Sequence, residues 1–308
     1  MLKYILKRIL AGLLTMLVLV TVTFCLMHAI PGGPFSPTEE RNVPKSVLDA
    51  IEKRYGLQDP LPAQYLHYME SLARGDLGIS FKQMDVSVNE LVARGFPVSA
   101  RVGLVSVIVS LIIGIPFGII AAIKRGKWMD WVSMILATIG IAIPSFVLAV
   151  LLLYLFSVTL KWLPTYGLGT WKHYILPVAG LALSPIAYIT RLMRSSMLEV
   201  MRQDYIRTAR AKGVSEFMVV MKHALRNAVI PVVTYLGPLI AALLTGSFVI
   251  ERLFSIPGIG REYVASIGDR DYSVILGMTI FFGGFVVIMN IVVDILYAVI
   301  DPRVKMED

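Results

Sequence analysis

The sequence predicts an all-α, polytopic membrane protein with six transmembrane helices. Of its 308 residues, 56% are hydrophobic and only 16% are charged, whereas an ordinary soluble domain has roughly 25% charged residues. The mean hydropathy is +0.73. The apolar residues lie in six long runs, and about 20 residues suffice for a helix to cross a bilayer. The runs are 9–30, 98–123, 131–157, 174–192, 228–250 and 274–300.

The first run follows three basic residues, Lys3, Lys7 and Arg8, and ends at a Pro-Gly-Gly-Pro sequence. A secretory signal peptide also begins with basic residues, but its apolar part is only about 7–15 residues long and leads into a cleavage site of small residues. This run is longer, and no such site follows it. We therefore expect residues 1–30 to hold a retained transmembrane helix.

Residues 31–97 are more polar and predict a small helical insert outside the membrane. Three amphipathic helices are expected there from capping and stop signals. They run from Pro44 to Gly56, from Leu61 to Gly75, and from the capping-box residue Ser87 to the stop signal Gly95-Phe96-Pro97.

Proline occurs inside four of the five later runs, at Pro116, Pro144, Pro177, Pro185, Pro231 and Pro238. Proline removes a backbone donor and kinks a helix, and membrane bundles tolerate it where neighbours or water satisfy the freed carbonyls. Kinked helices around a water-filled path and a purely structural bundle both fit this pattern.

The distribution of Lys and Arg predicts the orientation. Sixteen of the 29 basic residues lie in the N-terminal segment, the 124–130 loop, the 191–226 loop and the C-terminal tail, whereas the two short loops of the opposite face hold five. Short cytoplasmic loops are enriched in Lys and Arg, while long loops translocate largely regardless of charge. We expect both termini in the cytoplasm and the 31–97 insert outside.

The loop at 191–226 carries eight of the 29 basic residues and predicts a helix–turn–helix. Ser196 opens a capping-box pattern, Gly213 suits the left-handed position after a helix, and Ser215 can begin a second helix. Physical chemistry alone favours an amphipathic hairpin whose basic face rests on anionic lipid headgroups. The alternative is a docking element for a cytoplasmic protein, in which small residues such as Ala209 allow close approach.

Residues 204–213, Asp-Tyr-Ile-Arg-Thr-Ala-Arg-Ala-Lys-Gly, resemble a loop of permease subunits in binding-protein-dependent ABC importers. The form is typical of the oligopeptide/dipeptide/nickel subfamily. The general pattern of the loop is Glu-Ala-Ala-x3-Gly-x9-Ile-x-Leu-Pro, which this chain matches at Ala209, Gly213 and Leu225. It departs from that pattern at Arg207, Thr208, His223 and Arg226, where Glu, Ala, Ile and Pro are usual.

Further motifs of this family are spread over the whole chain and, as a set, most resemble the B-type permease subunit of oligopeptide importers. They are PGGPF at 31–35, GDLGISF at 75–81, GSFVIE at 246–251, PGIG at 257–260, RDYS at 270–273 and YAVIDPR at 297–303.

The resemblance implies the fold of a type I ABC importer permease, in which residues 98–308 form a five-helix core with a coupling loop at 191–226. It implies a multi-pass protein of a prokaryotic inner or plasma membrane. A second, related permease subunit would complete the pathway, and two cytoplasmic ATPases would bind ATP and Mg²⁺. An extracytoplasmic binding protein would deliver the peptide substrate, and the 197–213 helix would transmit the closure of the ATPases.

Three other functions remain open. The first is a dipeptide or nickel importer permease of the same subfamily. The second is a stand-alone secondary transporter, which would carry more charge within the membrane and often inverted repeats. The third is a scaffold whose loop binds membrane lipid. For the 31–97 insert and the 251–273 loop, contact with a binding protein or with the peptide is as plausible as a structural cap.

The candidate site residues form two groups. Those implied by the resemblance to contact the ATPases are Tyr205, Arg207, Thr208, Ala209, Arg210, Lys212, Gly213 and Glu216. Asn290 and Asp294 form a possible polar pair inside the last apolar run, where a carboxylate is a functional candidate. Arg191 or Arg194 could pair with Asp294. The favoured interpretation of Asp294 is instead that it lies near the membrane interface and stabilises helix packing.

No other chemistry is indicated by the sequence. Gly126-Lys127-Trp128 lacks the upstream glycine and the Ser or Thr of a nucleotide-binding P-loop, and the four histidines show no metalloprotease spacing. We therefore expect no enzyme activity, no cofactor and no metal in this chain. Nucleic acid is not an expected partner, because the basic residues lie at the ends of apolar runs.

Overall fold

A computed structural model of the chain describes residues 2–29, 58–83 and 85–300, with side chains described for 6–29, 58–83 and 85–292. In these ranges the only β pairing is a single bridge between Ile79 and Ser87. The α-helices are α1 (Leu2–Ala29), α2 (Leu61–Ala73), α3 (Val88–Ile123), α4 (Trp128–Ala142), α5 (Ser145–Leu153), α6 (Lys172–Val200), α7 (Asp204–Ala211), α8 (Glu216–Met218), α9 (Leu225–Ala228), α10 (Ile230–Leu244), α11 (Phe248–Leu253), α12 (Ile259–Asp269) and α13 (Tyr272–Ile300).

Five segments of the described residues are long and apolar enough to cross a membrane, and a bent helix pair can supply a sixth. The prediction of an all-α, polytopic membrane fold is therefore confirmed. The five segments are Leu6–Ala29, Val88–Ile123, Lys172–Val200, Ile230–Leu253 and Tyr272–Val292.

The third apolar run is sharply bent beside Pro144, one of the prolines at which the sequence predicts a kink. α4 and α5 are bent by 102° at a break between them. Ile143 is extended, with ψ 127°, and Pro144 stands directly before α5. A residue before proline is disfavoured in the α region, so the chain breaks there. After α5 a π-helical segment, Tyr154–Thr159, continues the run.

The first compact unit comprises Met1–Pro97 and Gly258–Ile288. Val20 and Phe24 of α1 pack with Leu276 and Ile280 of α13 in one buried cluster. α2 lies where the second insert helix was predicted, and Gly75 follows it with φ +79°. The predicted helix from Pro44 to Gly56 lies outside the described residues.

The third insert helix begins as predicted but does not end at Pro97. The Ser87 hydroxyl accepts a hydrogen bond of 3.1 Å from the Glu90 N–H, which is half of a capping box. α3 then continues to Ile123. Gly95 is a packing residue and not a stop signal, since a Cβ there would lie 2.9 Å from the Ile259 backbone.

The second compact unit comprises Val98–Pro257 and Met289–Asp308. Close helix packing at small residues, as in membrane bundles, joins α3 to α6. A Cβ at Gly114 would lie 2.8 Å from the Ile189 side chain, and one at Gly118 would lie 2.5 Å from Met193. The sequence divides the chain into a first transmembrane segment (1–30), an insert outside the membrane (31–97) and a permease core (98–308). That division stays a prediction.

Candidate functional site

The basic loop folds into a hairpin, residues 204–228, that follows α6. The helix predicted to start at Ser196 and to span 197–213 is wrong in its bounds. Ser196 is buried within α6, which ends at Val200, and the next helix is α7. Burial of Met193 and Met197 in the core keeps α6 helical past the capping-box sequence. The chain turns at residues 201–203, where Gln203 is extended with ψ 150°.

Gly213 ends α7 in the conformation that the sequence predicts. Its φ is +78°, and a Cβ there would meet no atom within 4 Å. The Gly213 N–H bonds to the Arg210 carbonyl at 2.9 Å, and the Val214 N–H bonds to the Ala209 carbonyl at 3.2 Å. These two bonds form a Schellman motif, which favours glycine because of its left-handed residue.

The return arm of the hairpin is less regular than predicted. Ser215 is extended and precedes α8, but its side chain makes no capping hydrogen bond. A π-helical segment, Val219–Ala224, and then α9 complete the arm. Phe217 is 72% exposed, beside the half-exposed Met218 and Met221. Sequence reasoning missed Phe217, although it adjoins the helix start at Glu216.

Two polar contacts brace the arms of the hairpin. The Arg210 Nε donates to Glu216 Oε1 at 2.6 Å. The Asn227 amide donates to the Tyr205 hydroxyl at 2.8 Å. The first contact joins two of the predicted site residues, Arg210 and Glu216, and the second ties a third, Tyr205, to Asn227.

The two faces of α7 differ. Ile206 and Ala209 are buried in a cluster with Met193 and Met197 of α6. Ala209 therefore packs inside this subunit, and a contribution of Ala209 to contact with an ATPase stays a prediction. The outer face consists of exposed residues, which are Asp204, Tyr205, Arg207, Thr208, Arg210, Ala211, Lys212 and Gly213. Asp204 contacts Arg207 only at 3.5 Å. The three basic residues Arg207, Arg210 and Lys212 outnumber the two acids beside them, Asp204 and Glu216, so this face is net basic.

A second polar site lies between α4 and α6, and sequence reasoning missed it. Arg194 donates from Nε to Asp130 Oδ1 at 2.5 Å and from a terminal nitrogen to Oδ2 at 2.8 Å. Oδ2 also accepts the Gly126 N–H at 2.9 Å. Asp130 is 5% exposed. The sequence offered one sign of this ion pair, because Asp130 and Arg194 each lie at the end of an apolar run.

From the sequence, Asp294 was considered as the partner of Arg194. The structure pairs Arg194 with Asp130 instead. The side chain of Asp294 lies outside those described, so its role stays a prediction. Asn290 is exposed on α13. Among the described residues no group of three or more His, Cys, Asp or Glu could hold a metal ion.

Changing Tyr205 to Phe is expected to loosen the hairpin, because it leaves the Asn227 amide without its acceptor. Such a hydrogen bond contributes about 1 kcal/mol. Hydrogen–deuterium exchange of residues 204–211 should become about fivefold faster if these amides exchange by opening of the hairpin. Tyr166→Phe, at a tyrosine 71% exposed, is the control and should leave that exchange unchanged. Equal exchange in both variants would contradict the bracing role.

Known proteins match the chain over its whole length. Residues 1–103 match the N-terminal family of binding-protein-dependent transport system membrane components. The dipeptide transport system permease protein DppB of Bacillus subtilis (strain 168) is 48% identical over 309 residues, covering 99% of each chain. The oligopeptide transport system permease protein OppB of Haemophilus influenzae is 45% identical over 307 residues, covering 99% of this chain and 100% of that one.

The fold also matches a solved transporter. A chain of the MetNI methionine ABC transporter, solved in inward-facing conformations, superposes with a TM-score of 0.55 at 19% identity, over 68% of this chain and 96% of that chain. Residues 114–306, which include both the basic hairpin and the Asp130–Arg194 pair, match the family described as binding-protein-dependent transport system inner membrane component. The chain thus belongs to that family of inner-membrane transport components.

Proposed function

We propose that the chain is a permease subunit of an ATP-driven oligopeptide importer. Relatives named for dipeptide and oligopeptide transport align with it from end to end at 48% and 45% identity, which supports peptides as the substrate class. The sequence motifs favour oligopeptides. Dipeptide import is the second candidate, because the relative at 48% identity carries that name.

The proposed assembly has four kinds of component besides this chain. A second, related permease subunit completes the pathway, and two cytoplasmic ATPases bind ATP and Mg²⁺. A binding protein delivers the peptide outside, and membrane lipid surrounds the helices. This chain then catalyses no reaction itself. Both termini and the basic hairpin lie in the cytoplasm, where ATP is present, and the 31–97 insert lies outside.

The two-faced α7 is the observation that carries the coupling proposal. Its basic outer face meets an acidic groove of an ATPase, and its inner face is part of the core. Ile206 contacts the same buried cluster as Met193 and Met197 of α6. Displacement of α7 on closure of the ATPases therefore moves α6, since a packed interior transmits a shift with little compression. The permease switches between inward-facing and outward-facing states.

Substitution at Gly213 tests this coupling in proteoliposomes that contain the partner subunits and the binding protein. Gly213→Phe is expected to lower ATP-driven peptide uptake by at least about tenfold, because a bulky side chain at the docking face displaces α7 from the ATPase. Gly213→Asn should retain most uptake, since asparagine tolerates positive φ. The measurement is uptake of labelled peptide per assembled transporter.

Gly126 supplies the matched control. It also has positive φ, +74°, and a Cβ there would meet no atom within 4 Å. It lies in a loop on the same predicted side. Gly126→Phe carries the same backbone strain at positive φ, and it should assemble as well as Gly213→Phe does but keep its uptake per assembled transporter. Normal uptake by Gly213→Phe would contradict the coupling role. Peptide uptake by this chain without any ATPase would instead show a secondary transporter.

A further inference from the structure

An open groove of about 800 Å³ lies in the second compact unit. One wall is a row on α3, Arg101, Val105 and Val109, and the facing wall comes from residues 168–179 at the start of α6. Residues four apart lie on one face of a helix, so the α3 row extends about 12 Å along the helix axis. The groove therefore follows the two helices lengthwise.

One end of the groove lies near the membrane interface. Arg101 is close to the start of the 98–123 apolar run, and Trp171 directly precedes α6. Trp171 is 71% exposed, and the Lys172 ammonium lies 6.0 Å from its ring. Tryptophan is enriched at the headgroup level of membrane proteins. Val109 and Ala179 lie about two turns further along their helices, at acyl-chain depth.

Arg101 is the one charged residue among those that line the groove. Arg101 is exposed and has no ion pair with any residue in the described part of the chain. Thr170, Trp171 and Tyr174 add uncharged polar groups near the same end, and the other lining side chains are aliphatic. The Thr170 hydroxyl already bonds to His173 Nδ1 at 2.8 Å. A guanidinium next to hydrocarbon needs an anion nearby, and it forms strong charge-assisted hydrogen bonds with phosphate. An anionic group suits the end of the groove at Arg101, and a hydrocarbon chain suits the aliphatic walls beyond it.

We propose that the groove binds an anionic phospholipid, with the phosphate on Arg101 and one acyl chain along Val105 and Val109. A hydrocarbon chain leaves no polar group unpaired in such walls. A peptide would leave several backbone N–H and C=O groups without partners, each at a cost. With the orientation proposed above, the lipid belongs to the outer leaflet.

Native mass spectrometry of the full chain in mild detergent tests the site. The chain is titrated with phosphatidylglycerol and, separately, with phosphatidylcholine of the same acyl chains. We expect phosphatidylglycerol to bind more tightly, and Arg101→Gln to weaken its binding about tenfold. Arg101→Lys should retain part of that affinity. Arg252→Gln, which removes an exposed cation outside the groove, should bind as the unchanged chain does.

A second set of variants tests the acyl-chain part. Ala179→Phe and Ile175→Trp, which fill the groove without changing charge, should each lower the occupancy of phosphatidylglycerol, and thermal unfolding identifies the variants that fold. Equal binding by Arg101→Gln and the unchanged chain would overturn the proposal. The proposal would also be overturned if inorganic phosphate or peptide displaced the lipid, or if a second permease chain covered the groove. Because lipid binding is measured without transport, a negative result would leave the proposed import function standing.

Discussion

Replacing Arg194 with methionine is expected to destabilise the protein by about 3 kcal/mol, because it leaves a buried carboxylate without its cation. Asp130 is only 5% exposed and receives two hydrogen bonds from Arg194. After the change only the Gly126 N–H remains as a described partner. Thermal unfolding in detergent should show a clear fall in Tm, and less protein should reach the membrane.

Two further variants separate the ion pair from general disturbance. Arg191→Met changes an exposed arginine one turn earlier on α6 and should leave Tm within experimental error. Asp130→Asn combined with Arg194→Met removes both charges and should recover part of the lost stability. A double variant as unstable as the sum of the single changes would show that the two residues act independently.

Replacing Gly103 with alanine is the second large effect that we expect. A Cβ there would lie 2.2 Å from the Leu243 carbonyl oxygen and 2.6 Å from its carbon. Both are backbone atoms of α10, so the helices must separate, and overpacking of this kind costs about 1–3 kcal/mol. The expected result is a lower Tm and loss of assembled transporter in membranes.

Gly268 offers the same substitution in open space. It lies within α12, and a Cβ there meets no atom within 4 Å. Gly268→Ala should be neutral or stabilising by up to about 1 kcal/mol, because alanine favours the helix. If Gly103→Ala were as stable as Gly268→Ala, the close approach of α3 to α10 would be wrong.

The sequence predicted the helical fold and the position of its apolar segments well. Long apolar runs have few alternatives in a bilayer, where backbone groups must be satisfied within the segment. Gly75 and Gly213 were also read correctly as helix-ending residues, since a left-handed residue favours glycine strongly. Both predictions rest on local physics that a single chain displays.

The failures involve contacts between distant parts of the chain. Ser196 has a good capping sequence, yet burial of its neighbours in the core keeps α6 helical through it. Gly95 was read as a stop signal, but it permits close packing on Ile259. The partner of Arg194 could not be identified, because Asp130 is 64 residues away in sequence. Tertiary packing determines these helix ends and this ion pair, and the periodicity of the sequence does not reveal tertiary packing.

On the proposed function, the two faces of α7 separate the choice of an ATPase from the transmission of its movement. Ile206 and Ala209 are fixed by the interior of this subunit, whereas Arg207 and Lys212 are exposed and lie outside the two contacts that brace the hairpin. Related permeases can therefore diverge at the outer positions without disturbing their own folding. On the proposed function, exchanging only those outer residues between two transporters should exchange which motor subunit each accepts.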